Sequence, residues 1–257
     1  PTYMTQESFF TEFARSITEN NWAVPAIGAA VLLQFSLCIG NVYIGRRDGL
    51  TEDELQTVTE SAVVSNAFQF IANYILGFKS QVIINGKQVE VPFKISNASL
   101  GIVDQHTDGF DTTVGKPIAV QLDSDMQNQI LALLEMTVRD FIITMLPLLR
   151  KIKHKEEDIV VHQSSLRQSQ TQSSAAAPRN DLDALFTVIA ILYKDRPEAG
   201  IRFWPNNDDR LYRFLKWGVD CKNTARSFFD MLGSLATGTQ CAHYANEFLK
   251  SNGGRYG

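Results

Sequence analysis

Apolar residues recur along most of this chain at spacings of three and four, the period of one face of an α-helix. Phe9, Phe10, Phe13 and Ile17 share a face and predict a helix over 5–17. Pro25 suits the first position of a second helix, where its missing N–H has no intrahelical partner in any case. Ile27, Val31, Leu32, Phe35 and Leu37 follow, and Gly40 is the predicted stop. Thr51-Glu52-Asp53-Glu54 is a capping box, in which hydroxyl and carboxylate each satisfy a first-turn N–H. One long helix is predicted after it, with Leu55, Val58, Ala62, Phe68, Ile71 and Ile75 inside and Gly77 at the end.

The period then changes. Gln81 to Ile84, Asn85-Gly86 and Lys87 to Val91 predict a β-hairpin near 81–95, because Asn-Gly tolerates the positive φ of a type I′ turn. Residues 96–122 are aperiodic and rich in Gly, Asp and Thr, so 81–122 is expected to be a hairpin-and-loop insertion. Helical spacing returns at Ser124, with Ile130, Leu133, Leu134, Val138, Phe141, Ile142, Met145 and Leu149 as a wide apolar face. Pro147 predicts a break, and the pattern fades near Asp158. Residues 164–178 hold no large apolar side chain except Leu166 and are expected to form a mobile linker. Asn180 is the predicted cap of the next helix, and Pro197 opens a short one reaching Trp204. Further helices are predicted from Asp208 or Asp209, over 222–237 with Phe228, Phe229, Met231, Leu232 and Leu235, and over 239–251 with Cys241, Tyr244, Phe248 and Leu249.

Few of these helices can bury an apolar face alone. Consecutive antiparallel helices stacked in a row would do so, which is the logic of an α-solenoid. No internal repeat with a period of about 34 or 40 residues is present, so the stack is irregular. The expected class is all-α, with the hairpin as its one departure.

Composition narrows the chemistry. With 257 residues, 44% of them hydrophobic, the chain can bury a substantial core. Lys plus Arg number 24 and Asp plus Glu 28, a net charge of −4, which argues against direct nucleic-acid binding. The densest basic run, Arg150 to Lys155, passes straight into Glu156, Glu157 and Asp158 and reads as a solvated helix end. The three cysteines, Cys38, Cys221 and Cys241, are too few and too far apart for a disulfide framework and suit a reducing compartment. The longest apolar stretch, 26–40, is interrupted by Gln34 and Ser36 and falls short of the roughly 20 residues a bilayer span needs. The chain opens on Pro1 and stops just after a predicted helix, as a segment of something longer would.

Candidate sites are weak. Asp104, His106, Asp108 and Asp111, near Asp123 and Asp125, are the metal-ligand types of a cation-dependent enzyme. Their spacing matches neither an EF-hand nor HExxH, and Asp, Gly and Thr are ordinary loop residues. Cys221, Cys241 and His243 are zinc-ligand types, but Cys241 and His243 lie two apart on a predicted helix and point to different faces. No phosphate-binding glycine loop, dinucleotide fingerprint or nucleophile elbow occurs. No cofactor is expected.

The stretch Met231 to Gly253, MLGSLATGTQCAHYANEFLKSNG, is more specific. It resembles a "ML..LA.G.QCAHY...LLK.NG" segment in the family of the largest inner-ring nucleoporins of the nuclear pore complex, nucleoporins 192 and 205. Asp181-Leu182 to Lys194, Ile201 to Pro205, and Asp140-Phe141 through Asp158 are similar to further segments of that family's N-terminal half, in the same order. The resemblance covers roughly residues 125–253, and more weakly 52–76; 81–121 and 164–178 depart from it. It implies an irregular solenoid of HEAT- and armadillo-like repeats, a non-enzymatic scaffold role at the nuclear envelope, and partners that are linker nucleoporins held through short peptide motifs. A soluble transport-receptor-like adaptor is the rival within the same fold. Met231, Leu232, Leu235, Cys241, Tyr244, Phe248 and Leu249 are expected to be the packed core of the family-like segment, with Phe229 beside them.

Overall fold

The structure is a computed structural model that describes residues 13, 15–17, 19, 22–43, 52–79, 81–84, 87–90, 124–167, 180–204 and 209–252. The chain divides into two compact units, residues 1–71 and 72–257. Among the described residues, the class is an all-α helical solenoid carrying one two-stranded hairpin.

In the first unit, α1 (Pro25–Tyr43) packs on α2 (Glu52–Val64). Pro25 opens α1 as its fixed φ predicts. The helix runs past Gly40 to Tyr43, because a glycine weakens a helix without forcing its end. Leu32, Leu33, Phe35 and Leu37 face inward with Leu55, Ala62 and Val63. The Ser36 and Thr59 hydroxyls lie 3.1 Å apart at this interface, and each also reaches a carbonyl one turn back. The Trp22 indole N–H donates to the Ile17 carbonyl at 2.9 Å.

The long helix expected from 51 to 77 is two. Helix α2 stops at Val64, and α3 runs Ala67–Lys79. Asn66 takes φ 69° between them, and the Asn66 N–H donates to the Val63 carbonyl at 3.0 Å. Asn adopts this left-handed conformation more readily than most residues, so the break needs neither glycine nor proline. Gly77, the expected stop, is buried inside α3.

Strands β1 (Gln81–Ile84) and β2 (Lys87–Glu90) pair antiparallel in the register Gln81 with Glu90 through Ile84 with Lys87. The predicted Asn85-Gly86 turn and residues 91–122 of the predicted insertion lie outside the described residues.

The second unit is built around α6 (Asp181–Tyr193). Helix α4 (Ser124–Thr144) leads to α5 (Leu146–Arg167) through a break at Met145. Pro147 sits in the first turn of α5, where its missing donor costs little. Helix α5 continues past Asp158, so residues 164–167 of the expected linker are helical and 168–178 lie outside the described residues. After α6 come α7 (Pro197–Phe203), α8 (Asp209–Val219), a 3₁₀ turn at Lys222–Thr224, α9 (Ala225–Leu235) and α10 (Thr239–Asn252). The turn separates from α9 what spacing alone predicts as one helix over 222–237.

Twelve of the thirteen residues of α6 are buried. A helix that is apolar all round belongs inside a stack, and α6 packs against α4, α5, α7 and α9. Phe186 anchors the centre, with ring centroids 6.0 Å from Phe214 and 5.7 Å from Phe228.

Candidate functional site

The junction of α7, α9 and α10 contains the family-like motif. Helix α9 ends at Leu235, and its last carbonyls have no partner inside the helix. Trp204, the buried residue that closes α7, donates its indole N–H to the Leu235 carbonyl at 2.8 Å. The Trp204 ring lies 6.1 Å from Tyr244 and 6.4 Å from Phe248, both on α10.

Three residues turn α9 into α10. Gly238 has φ 92°, and a Cβ on it would meet the Pro197 Cβ at 2.9 Å, so only glycine fits. Its carbonyl accepts from the Ala242 N–H at 2.8 Å to start α10. Cys241 is buried, with its thiol 3.5 Å from the Pro197 carbonyl. A Cβ on Gly200 would stand 3.0 Å from the Cys241 sulfur. A small thiol against a glycine is thus how α10 approaches α7.

Met231, Leu232, Leu235, Cys241 and Phe248 are buried, and Tyr244 is half-buried, accepting a hydrogen bond from Gln240 at 3.1 Å. Leu249 and Phe229 correct the expectation. They are 37% and 43% exposed, because the apolar stripes of α10 and α9 are wider than the face each helix buries. The same holds on α4, where Leu133 is 53% exposed.

A second cluster joins α7 to α4. Glu135 is buried, and Arg202 grips both its oxygens, Nε at 2.9 Å and Nη2 at 2.8 Å. Arg196 approaches the same carboxylate at 3.6 Å while donating to the Leu192 carbonyl at 3.1 Å. Tyr193 is fully buried beside this group, its ring edge-on to Phe203 at 5.2 Å, and burial pushes its phenol well above the usual range.

These groups are arranged for packing. Burial pushes the Cys221 thiol up to about 12 and the Cys241 thiol upward, so neither is activated as a nucleophile. His243 is exposed while Cys241 points inward, so the three zinc-ligand types are not brought together. Asp104, His106, Asp108, Asp111 and Asp123 lie outside the described residues, and Asp125 is exposed at the start of α4. Among the described residues, no group of three or more His, Cys, Asp or Glu side chains is placed to share a metal ion, and no helix is long and apolar enough to cross a membrane.

The family model for nuclear pore complex scaffold nucleoporins 186/192/205 matches residues 4–256. The chain belongs to this family. It is 26% identical over 245 residues to nucleoporin NUP192 of Chaetomium thermophilum, covering 91% of this chain and 13% of that relative. This scaffold-nucleoporin chain therefore spans about an eighth of its relative's length.

Two features of the nucleoporin segment escape sequence reasoning. The Glu135–Arg202 pair spans 67 residues, and nothing local to either marks the other. Asn180 sits at the N-cap of α6 but makes no side-chain cap bond; the first turn is instead served by Glu156 of α5.

Proposed function

We propose that this chain is a segment of a structural component of the nuclear pore complex inner ring. It acts at the nuclear envelope, without catalysis and without a cofactor. It binds linker nucleoporins through short peptide motifs and thereby supports nucleocytoplasmic transport. The observation that carries this reading is the family match over 4–256, nearly the whole chain. The helical stack supports it: buried α6, the small-residue contact at Gly200 and Cys241, and thiols raised by burial all suit a packed, non-catalytic scaffold. The parent protein, of which 1–257 is read as one stretch of solenoid, is the unit to test. Affinity purification of the tagged parent from nuclear envelopes should recover other nucleoporins in stable proportion. Recovery of soluble transport cargo with no nucleoporin would favour the adaptor reading instead.

A further inference from the structure

Helix α6 begins without help from its own flank, since Asn180 makes no side-chain cap bond. Glu156 of α5 fills that role from a distance of 26 residues. Its Oε1 accepts from the Leu182 N–H at 3.1 Å, and the Asp181 N–H also donates to this carboxyl. First-turn N–H groups of a helix favour an anion, so the position is chemically apt.

The surroundings oppose the anion. Glu156 is buried at 9% exposure, and Asp181 and Asp183 of α6 repel a charge on it. Asp183 is itself pushed upward by burial, although it is hydrogen-bonded to Ser227; Asp230 and Arg226 of α9 face it. On α5 the neighbours are Lys153 and Glu157, 3.7 Å apart. The Lys153 ammonium is also committed to the Asp220 carbonyl at 3.0 Å. The Cys221 thiol, next to Asp220, is neutral across the physiological range. Burial of Glu156 outweighs its two N–H partners and moves its titration from 4.5 to about 7.

We propose that Glu156 is a proton-operated joint between α5 and α6, tight when the carboxyl is protonated and loosened when it ionises. The folded chain holds this proton more tightly than the unfolded chain does. The stability it contributes is fully present below the unfolded value of 4.5 and is lost as pH rises through about 7. One proton of linkage changes the closing equilibrium by up to about tenfold per pH unit in that window. The joint would set how firmly α6, the central helix of the second unit, is held at its first turn.

The test is hydrogen exchange of the amides at the start of α6, corrected for intrinsic chemistry, in the full chain from about pH 5.5 to 8.5. Protection should fall as pH rises to about 7, by up to about tenfold per unit, and should fall clearly less in Glu156→Gln, where Asp183 and the histidines still titrate but Glu156 does not. His154 on the same helix, and the other histidines, remain in both proteins, so the difference isolates Glu156. The same slope in both proteins would overturn the proposal. If Glu156→Gln fails to fold, carboxyl carbon NMR of the wild-type chain decides: a glutamate titrating near neutrality upholds it, and every glutamate titrating in the ordinary range overturns it.

Discussion

The Trp204 indole N–H and the Leu235 carbonyl are 2.8 Å apart, and this bond ties the end of α7 to the end of α9. Both partners are buried. Trp204→Phe keeps a ring against Tyr244 and Phe248 but leaves a buried helix-end carbonyl unpaired. The expected loss is about 1–3 kcal/mol in urea unfolding. No loss would mean that the carbonyl finds another partner.

Gly238→Ala should destabilise by more than about 1 kcal/mol, because two costs add. The φ of 92° is unfavourable for alanine, and the new methyl meets Pro197 at 2.9 Å. Adding Pro197→Gly removes the clash and leaves the φ cost. The double variant should therefore lose less than the sum of the singles, and simple additivity would show that the clash is relieved elsewhere.

Leu232 and Phe229 test which face of α9 is inside. Leu232→Ala is expected to cost about 2–5 kcal/mol. Phe229, at 43% exposure, should cost clearly less on truncation even though it is the larger residue. The reverse order in thermal melts would contradict the placement of α9.

The buried end of the Glu135–Arg202 pair is the carboxylate, while the Arg202 side chain is half exposed. Arg202→Ala leaves a buried anion with Arg196 alone and should cost about 1–3 kcal/mol. Glu135→Ala frees Arg202 to reach water and should cost less. The double variant should be more stable than Arg202→Ala alone, a result that a purely packing role for Arg202 would not produce.

In the native chain, Cys221 and Cys241 should resist a thiol reagent at neutral pH, because both are buried and both thiols are raised. Cys38 is only half-buried and should react first. Fast labelling of Cys241 would show that α10 leaves Gly200 readily.

Helix positions were legible from spacing, since Leu55, Phe141, Leu185 and Phe248 are all buried where the three-and-four pattern puts them. The break at Asn66 was not, because asparagine is compatible with both a helix interior and a left-handed turn. Periodicity also could not say how wide a face each helix buries, which is why Leu133, Phe229 and Leu249 are more exposed than their pattern implies. At the motif junction, glycine and cysteine were readable as small residues. The partners that make smallness necessary, Pro197 and Gly200, come from a helix some 40 residues earlier. The Glu156 cap and the Glu135–Arg202 pair depend on tertiary placement, which no local pattern encodes.

The most direct test of the scaffold assignment is photobleaching of the fluorescently tagged parent protein, expressed from its own locus in living cells. A punctate nuclear rim that recovers very slowly is the predicted result. A diffuse signal without a rim, or a rim that recovers within seconds, would contradict a resident structural role.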